Sequence, residues 1–554
     1  MLGTHCRRHA GKLFSNFQAN PLKRNISFQM EPQSIIAATS HADRTYENAI
    51  QTLNTLQSNA DVIQKMRKEQ GRGQRDSLPA MEAFLTRLGI SASDLNKLNA
   101  IHVSGTKGKG STCAVAESIM RHHQLKTGLY TSPHLVEVRE RIRINGKPLP
   151  RQAFADYFFH CYDMLSSSAS DNANQMPGYF RFLTAMAFHV FLEERVDVGI
   201  IEVGIGGAFD CTNIIPSPTV CGISLLDLDH VGVLGDSISK IAWHKAGIMK
   251  PSRPAITIPQ EGIAMDCLFE RAKELGTTLR IAPDFNLYDL KNELHLEGKH
   301  QEINASLAIQ LCNTWFLERL PDMGCSQSLS DSSGSRPILN GFALSSRFES
   351  GVSNASWPGR CQTIVRDNLS FYLDGAHTKE SVNVCVDWLV NKIGHECNRI
   401  EFKRILLFNI SSDRDSFNLL EPLNKIKWDH VVFCPSILTD VTSKKNGSAD
   451  VSNLTVTKDE QNFVCVRNQE AWLKLTGKTL MSDHQTTIFP SINEALTWIV
   501  HGIDPAFSRP AVYEPPIPEY LLHAQHLDIA VVGSLHLVGG VLKFLGPDIV
   551  SIDL

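Results

Sequence analysis

Residues 101–111, Ile-His-Val-Ser-Gly-Thr-Lys-Gly-Lys-Gly-Ser, constrain the possible folds of this chain more than any other stretch. A short β-branched strand runs into a turn with three glycines, and Thr112 to His122 then reads as a helix. That order makes an anion cradle. Glycine lets backbone N–H groups close around phosphate oxygens, the helix N-terminus adds a partial positive charge, and Lys109 adds a full one. The spacing is not the usual G-x-x-x-x-G-K-[ST], because Gly110 separates Lys109 from Ser111. An ordinary glycine turn is the plainer reading, and the strand–loop–helix context favours phosphate.

A chain of 554 residues is too long for one core and predicts two domains of substantial size. Hydrophobic residues at 42% and charged residues at 20% describe a globular protein, and a net charge of −4 leaves no electrostatic footprint for nucleic acid. The 13 cysteines form no C-x-x-C pair, which argues against a zinc site or disulfide scaffold and for reduced thiols. No uncharged apolar run reaches the roughly 18 residues a membrane span needs, so no integral membrane segment is expected.

The N-terminus differs from the rest. Arg7, Arg8, Lys12, Lys23 and Arg24 precede the first acidic residue, Glu31. Residues 1–41 are therefore expected to be a mitochondrial transit-like or disordered segment. Met30 is a candidate start for a shorter cytoplasmic form.

Helical periodicity marks Tyr46–Leu56 and Met81–Leu88, with a polar loop at 65–77 between them. After the cradle helix, Thr127–Thr131 is a second strand, ended by Pro133. The run from Ser132 to Ile144 is charged and too irregular for core. A solvated face is one reading, and a mobile substrate loop beside the phosphate site is the favoured one. Phe180–Glu193 is a packing helix, and the apolar run from Val196 into Glu202 reads as a buried parallel strand. A carboxylate there needs a partner, either a metal ion beside a phosphate or a hydrogen-bonding donor. A third strand, Thr219–Leu226, ends in Asp227-Leu-Asp229-His230.

The alternation predicts an α/β chain: an N-terminal P-loop-type, doubly wound, mostly parallel sheet. Ser132, Glu202 and His230 would meet at the strands' carboxyl ends, as a hydroxyl, a carboxylate and an imidazole able to hold Mg²⁺. Pro251 should terminate the helix that carries Lys245. Tyr288–His300 reads as a hairpin, and a helix follows from Gln301. The Ser/Gly-rich stretch 326–336 is expected to be a flexible insertion. Phe371–His377, Ser381–Ile393, Arg404–Phe408, His430–Phe433 and Ile529–Val532 then make a smaller, Rossmann-like C-terminal α/β domain. It carries a polar insertion around Ser443–Asn453. The expected boundaries are a central domain at 42–340, a linker at 341–358 and the second domain at 359–554.

Several of these stretches together resemble the folylpolyglutamate synthases of the Mur ligase superfamily. They are Gly105-Thr-Lys-Gly-Lys-Gly-Ser111, Tyr130-Thr-Ser-Pro-His-Leu135, Glu202-Val-Gly-Ile-Gly-Gly207 and Asp374-Gly-Ala-His377. Asp210-Cys-Thr-Asn-Ile-Ile215, His300-Gln-x-x-Asn304, Trp357-Pro-Gly-Arg360 and Gly533-Ser-Leu-His-Leu-Val-Gly-Gly540 extend the match over about residues 45–554. Arg181–Phe188 and Ile241-Ala-Trp243 resemble the eukaryotic branch.

The resemblance implies ATP-dependent addition of L-glutamate, in γ-linkage, to tetrahydrofolate and its polyglutamates through an acyl phosphate. Such a reaction retains folates in cell and mitochondrion for one-carbon metabolism. A dihydrofolate synthase or a bifunctional enzyme is the alternative. By the same resemblance Gly108, Lys109, Gly110 and Ser111 would hold phosphates, and Ser132 and Glu202 one Mg²⁺, with His230 on a second. Lys245 matches a lysine that some members carbamylate, and Lys109, Lys245 and His230 are the candidate catalytic residues. Asn304 and Arg360 would contact adenine and phosphate, Asp374 the ribose, with His377 nearby. Ser132, Pro133, His134 and Arg141 would lie on the folate side, in the loop Ser132–Arg143. A monovalent cation such as K⁺, a monomeric state, and a location in mitochondria (matrix or inner-membrane-associated) and cytoplasm complete the expectations.

Overall fold

The computed structural model describes residues 44–57, 77–169, 175–326, 328, 336–394, 402–412, 414–439, 458–479, 485–504, 507 and 514–546. The transit-like segment, Met30, the insertion around Ser443–Asn453 and 327 and 329–335 of the Ser/Gly-rich stretch lie outside them.

Short apolar runs rich in β-branched residues form the centre of the first sheet. β1 (Ile101–Ser104), β2 (Thr127–Tyr130), β5 (Val198–Glu202) and β6 (Val220–Ile223) are buried at every position. β3 (Ile142–Ile144) and β4 (Lys147–Pro148) make an antiparallel edge, and β7 (Ala255–Thr257) and β8 (Leu279–Ile281) extend the other side. The order is β4-β3-β2-β5-β1-β6-β7-β8, with parallel pairing from β2 through β8.

Because strand side chains alternate, this sheet divides its residues between two cores. Tyr130 and Ile201 join a cluster under helices Tyr46–Thr55, Ser77–Arg87, Arg151–Ser167 and Tyr179–Glu193. Leu129, Val198 and Ile200 join the opposite cluster, under helices Lys109–His122, His300–Arg319 and Ser346–Ser353.

The second sheet repeats the plan. It comprises β9 (Gln362–Arg366), β10 (Leu369–Asp374), β11 (Phe402–Phe408), β12 (His430–Phe433), β13 (Thr486–Ile488) and β14 (His526–Val532). The order is β13-β12-β11-β14-β10-β9, with only β9 antiparallel. Phe371, Leu407 and Val531 face helices Ile492–Val500 and Leu535–Leu545. Tyr372, Phe408 and Val532 face helices Lys379–Ile393, Ser416–Leu423 and Lys458–Thr476.

Three sequence expectations need correction. The Tyr288–His300 hairpin does not form: no strand lies between β8 and helix His300–Arg319. Its alternating apolar residues serve packing rather than pairing, as Tyr288 and Leu296 sink into the core and Gln310 Nε2 donates to the Tyr288 hydroxyl at 2.8 Å. The stretch 341–358 is not a bare linker, because helix Ser346–Ser353 buries Phe348 and Val352 against the cradle helix.

The third concerns the charged run after β2, expected to be too irregular for core, which is buried. Val136 enters the second sheet's core while Val138 and Ile142 enter the first's. The Glu140 carboxylate accepts the backbone amides of Leu135, Val136 and Glu137 at 3.0, 2.9 and 2.6 Å. An acid folded back onto three amides satisfies groups that burial would otherwise leave unpaired.

Candidate active site at the carboxyl ends of the strands

Register brings the site together before any side chain is considered. Val103 pairs with Glu202, Ser104 with Ile223, and Tyr130 with Ile201. The connections leaving β1, β2, β5 and β6 therefore emerge at one edge, where open parallel sheets bind ligands.

Two glycines of the cradle have positive φ, 149° at Gly105 and 83° at Gly108. A Cβ on Gly105 would collide with Ser224 Oγ, and one on Gly108 with Asn304 Oδ1, so both positions require glycine. The cradle is sewn to the connection after β6. Thr106 N and Lys107 N both donate to Leu225 O, at 2.8 and 3.1 Å. Thr106 Oγ1 donates to Asp227 O at 3.0 Å, and Ser224 Oγ to Lys107 O at 2.7 Å. Gly108 opens helix Lys109–His122 without a side-chain cap, which leaves the helix N-terminus suited to an anion.

Charge converges on this edge. Lys109 Nζ lies 3.9 Å from Glu202 Oε1, and Ser132 N donates to Glu202 Oε2 at 3.0 Å. Burial raises the Glu202 carboxyl, and Lys109, the Ser132 amide and Arg360 oppose that rise. Lys245 is buried, and its Nζ donates to Gly105 O at 2.7 Å. Burial, with Lys109 adding repulsion, holds it well below the usual lysine range.

His230, at φ 51°, opens the short helix Val231–Leu234, and burial pushes its imidazole down. Beside it Asp229 accepts Lys107 Nζ at 3.3 Å and Arg414 Nη2 at 3.2 Å, on different oxygens. Burial opposes the charge of Asp229, but Lys107, His230 and Arg414 outweigh it and hold the carboxyl below the carboxylate range.

The facing wall comes from the second sheet and the segment before it. A Cβ on Gly110 would lie 3.0 Å from Trp357 Nε1, and the Arg143 guanidinium sits 5.1 Å from the Trp357 ring centroid. Asp374, at the end of β10, accepts Cys361 N at 2.7 Å and Ala376 N at 2.8 Å and so shapes the turn that carries Arg360. His377 shares 2.7 Å with Gly375 O through Nδ1, and burial, reinforced by Lys107, pushes it down to about 3. Asn304 Nδ2 donates to Gln301 Oε1 at 2.9 Å.

A narrow cavity between the walls is lined by Gly110, Ser132, Pro133, His134, Glu202 and Arg360, among others. Asn304 stands outside it, against Gly108. Arg141 does not line it, and its Nε donates to Nδ1 of His134, which does, at 3.0 Å. Gly108, Lys109, Ser111, His230, Lys245, Asp374 and His377 do not line it. Among the described residues no three His, Cys, Asp or Glu side chains form a metal-holding group.

Sequence reasoning did not single out Lys107, Asp229, Glu140 or Arg414 as site residues. Asp229 carried a signal, an acid directly before His230 at a strand end. Arg414 carried none, because only folding brings it from the far sheet.

The chain is 41% identical over 550 residues to the mitochondrial folylpolyglutamate synthase of Bos taurus, covering 92% of this chain and 93% of that one. It is 41% identical over 544 residues to the mitochondrial enzyme of Homo sapiens, covering 91% and 92%. No family model matches the sequence.

Among solved structures, it resembles a Mycobacterium tuberculosis folylpolyglutamate synthase complexed with ADP and AMPPCP, with TM-score 0.59 at 22% identity, covering 85% of this chain and 95% of that one. It also resembles a bifunctional folylpolyglutamate synthase/dihydrofolate synthase of Yersinia pestis complexed with AMPPNP and Mn, with TM-score 0.56 at 22% identity, covering 85% and 93%. An FPGS–AMPPCP–folate complex superposes with TM-score 0.59 at 21% identity, covering 91% and 100%. The structural likenesses establish the fold and the curated relatives the lineage: the chain belongs to the folylpolyglutamate synthase family.

Proposed function

We infer that this protein is an ATP-dependent ligase that adds L-glutamate in γ-linkage to tetrahydrofolate and its polyglutamates. The observation that carries this reading is the cavity in which Glu202 and Ser132, beside Lys109 of the cradle, face Arg360 from the second wall. A carboxylate is a poor acyl donor, and phosphorylation gives it a leaving group. Phosphoryl transfer asks the protein for positioning and charge neutralisation more than for a nucleophile.

In this reading Gly108, Lys109, Gly110 and Ser111 cradle the phosphates, and Arg360 meets their charge from the other side. Asn304 reaches the base. Asp374, already bonded to two backbone amides, orients the Arg360 turn and contacts the ribose, with His377 beside it. Ser132, Pro133, His134 and Arg141 form the folate side of the cavity. The donor set fits a hard divalent ion: the Glu202 carboxylate and Ser132 hydroxyl would hold one Mg²⁺, and His230 would serve a second. Such ions supply charge neutralisation at the phosphates. Lys245, buried and held below the usual lysine range, is the candidate for carbamylation.

Both walls come from one chain, which supports action as a monomer of two domains, near 42–340 and 359–554. Among the described residues no helix is long and apolar enough to cross a membrane. The mitochondrial names of the relatives support a mitochondrial site of action, with the cytoplasmic form from Met30 as the finer proposal.

Lys109→Ala and Glu202→Gln test the reading. Lys109→Ala should abolish glutamate ligation at unchanged melting temperature, and Glu202→Gln should lower turnover and Mg²⁺ dependence together, as expected when a metal site loses a charge. Near-normal turnover in both variants would remove the cradle and the metal from the mechanism.

A further inference from the structure

The cradle and the connection 224–230 behave as one piece, because backbone and side-chain hydrogen bonds join them at Thr106, Lys107 and Ser224. Asp229 ends that connection. It is 7% exposed, its Oδ2 takes Lys107 of the cradle, and its Oδ1 takes Arg414.

Arg414 belongs to the opposite body. It lies on the connection after β11, at the carboxyl edge of the second sheet. Its own backbone is fixed there by Arg467 of helix Lys458–Thr476, which donates to Arg414 O and to Ser412 O, each at 3.0 Å. One arginine is thus anchored by its main chain to the second sheet and by its side chain to the nucleotide side of the first. A second tie between the bodies has a different character. Glu297 accepts Thr363 Oγ1 at 3.0 Å, Trp388 Nε1 at 2.8 Å and Lys392 Nζ at 2.9 Å, and none of its partners belongs to the cradle.

We propose that Asp229 is a positioning residue for the ligation, a strut that sets the second sheet against the nucleotide cradle by holding Arg414 while it shares Lys107. The proposal rests on the ligase reading. The carboxylate brings two cations together that would otherwise repel, and it does so only when the walls are at the spacing seen here. An anion that draws Lys107 towards itself leaves the carboxylate to Arg414, so occupancy of the cradle tightens the strut. Removing it leaves both bodies intact and loses their registration, which near-attack geometry cannot tolerate.

The test is a double-mutant cycle on full-length protein: wild type, Asp229→Asn, Arg414→Gln and the double variant. Turnover, the KM for each substrate and the equilibrium affinity for ATP are read separately. Asp229→Asn should keep ATP affinity within about threefold and lose about tenfold or more in turnover, and the double variant should be no worse than Arg414→Gln alone. Asp229→Glu should restore part of the turnover, which a merely structural aspartate would not predict.

Losses that multiply, or coupling of Asp229 to Lys107→Met with none to Arg414, would overturn the strut. If Asp229→Asn does not fold, Arg414→Gln against Arg414→Lys carries the test. Recovery of turnover by lysine then supports the proposal, and equal loss contradicts it. A wild type without ligation would contradict the ligase reading itself, whereas an active wild type with multiplying losses contradicts only the strut.

Discussion

At the scale of single residues, burial rather than exposure marks the titratable groups at the carboxyl edges. Glu202, Lys245, His230 and His377 each lie where burial disfavours their charged form. A buried group outside the cavity makes the same physics testable. His102, in the middle strand β1, is fully buried, pairs through Nε2 with Thr212 Oγ1 at 2.9 Å, and is pushed from 6.5 down to about 3. The unfolded chain therefore takes up a proton below about pH 6.5 that the native chain refuses. His102 contributes full stability above that value and loses it as pH falls toward 3. The slope from this residue is about 1.4 kcal/mol per pH unit. Denaturant titrations at several pH values should show a shallower acid loss in His102→Gln than in wild type, and equal slopes would contradict the assignment.

At the scale of elements, the connection after β2 is the piece on which both sheets depend. Leu135 and Val136 pack in the second core, Val138 and Ile142 in the first, and Glu140 ties the turn between them. Hydrogen bonds to a charged group are worth about 1.5–3 kcal/mol each, so Glu140→Ala should loosen this connection before it unfolds either sheet. Steady-state kinetics should show the folate KM up by about tenfold while that for ATP stays within about threefold. Equal rises in both would mean that the loop does not belong to the folate side.

This element also shows where sequence reading stops. β1, β5, β6, β10 and β14 were legible because strands buried on both faces read as unbroken apolar runs. The connection after β2 was not, since its charged residues satisfy one another only once folded: Arg139 and Arg151 both meet Glu137, and Arg141 meets His134. Tyr288–His300 failed for the opposite reason, as its spacing suits a strand and its partners are helices. The glycine turn, Glu202 and Ser132 stood out because local sequence carries them. Arg414 did not, because only folding brings it to Asp229.

At the scale of the whole molecule, two parallel sheets present their carboxyl edges to one cavity. The first supplies the phosphate cradle and a buried carboxylate, the second an arginine on a turn held by Asp374. That division suits a ligase, which must hold two substrates, better than a simple ATPase. The decisive measurement is incorporation of labelled L-glutamate by the purified full chain, with tetrahydrofolate and, in parallel, dihydropteroate as acceptor, each with and without ATP and Mg²⁺. The expected result is incorporation into tetrahydrofolate that requires both ATP and Mg²⁺, and none into dihydropteroate. A chain that binds ATP and incorporates glutamate into neither acceptor would contradict it.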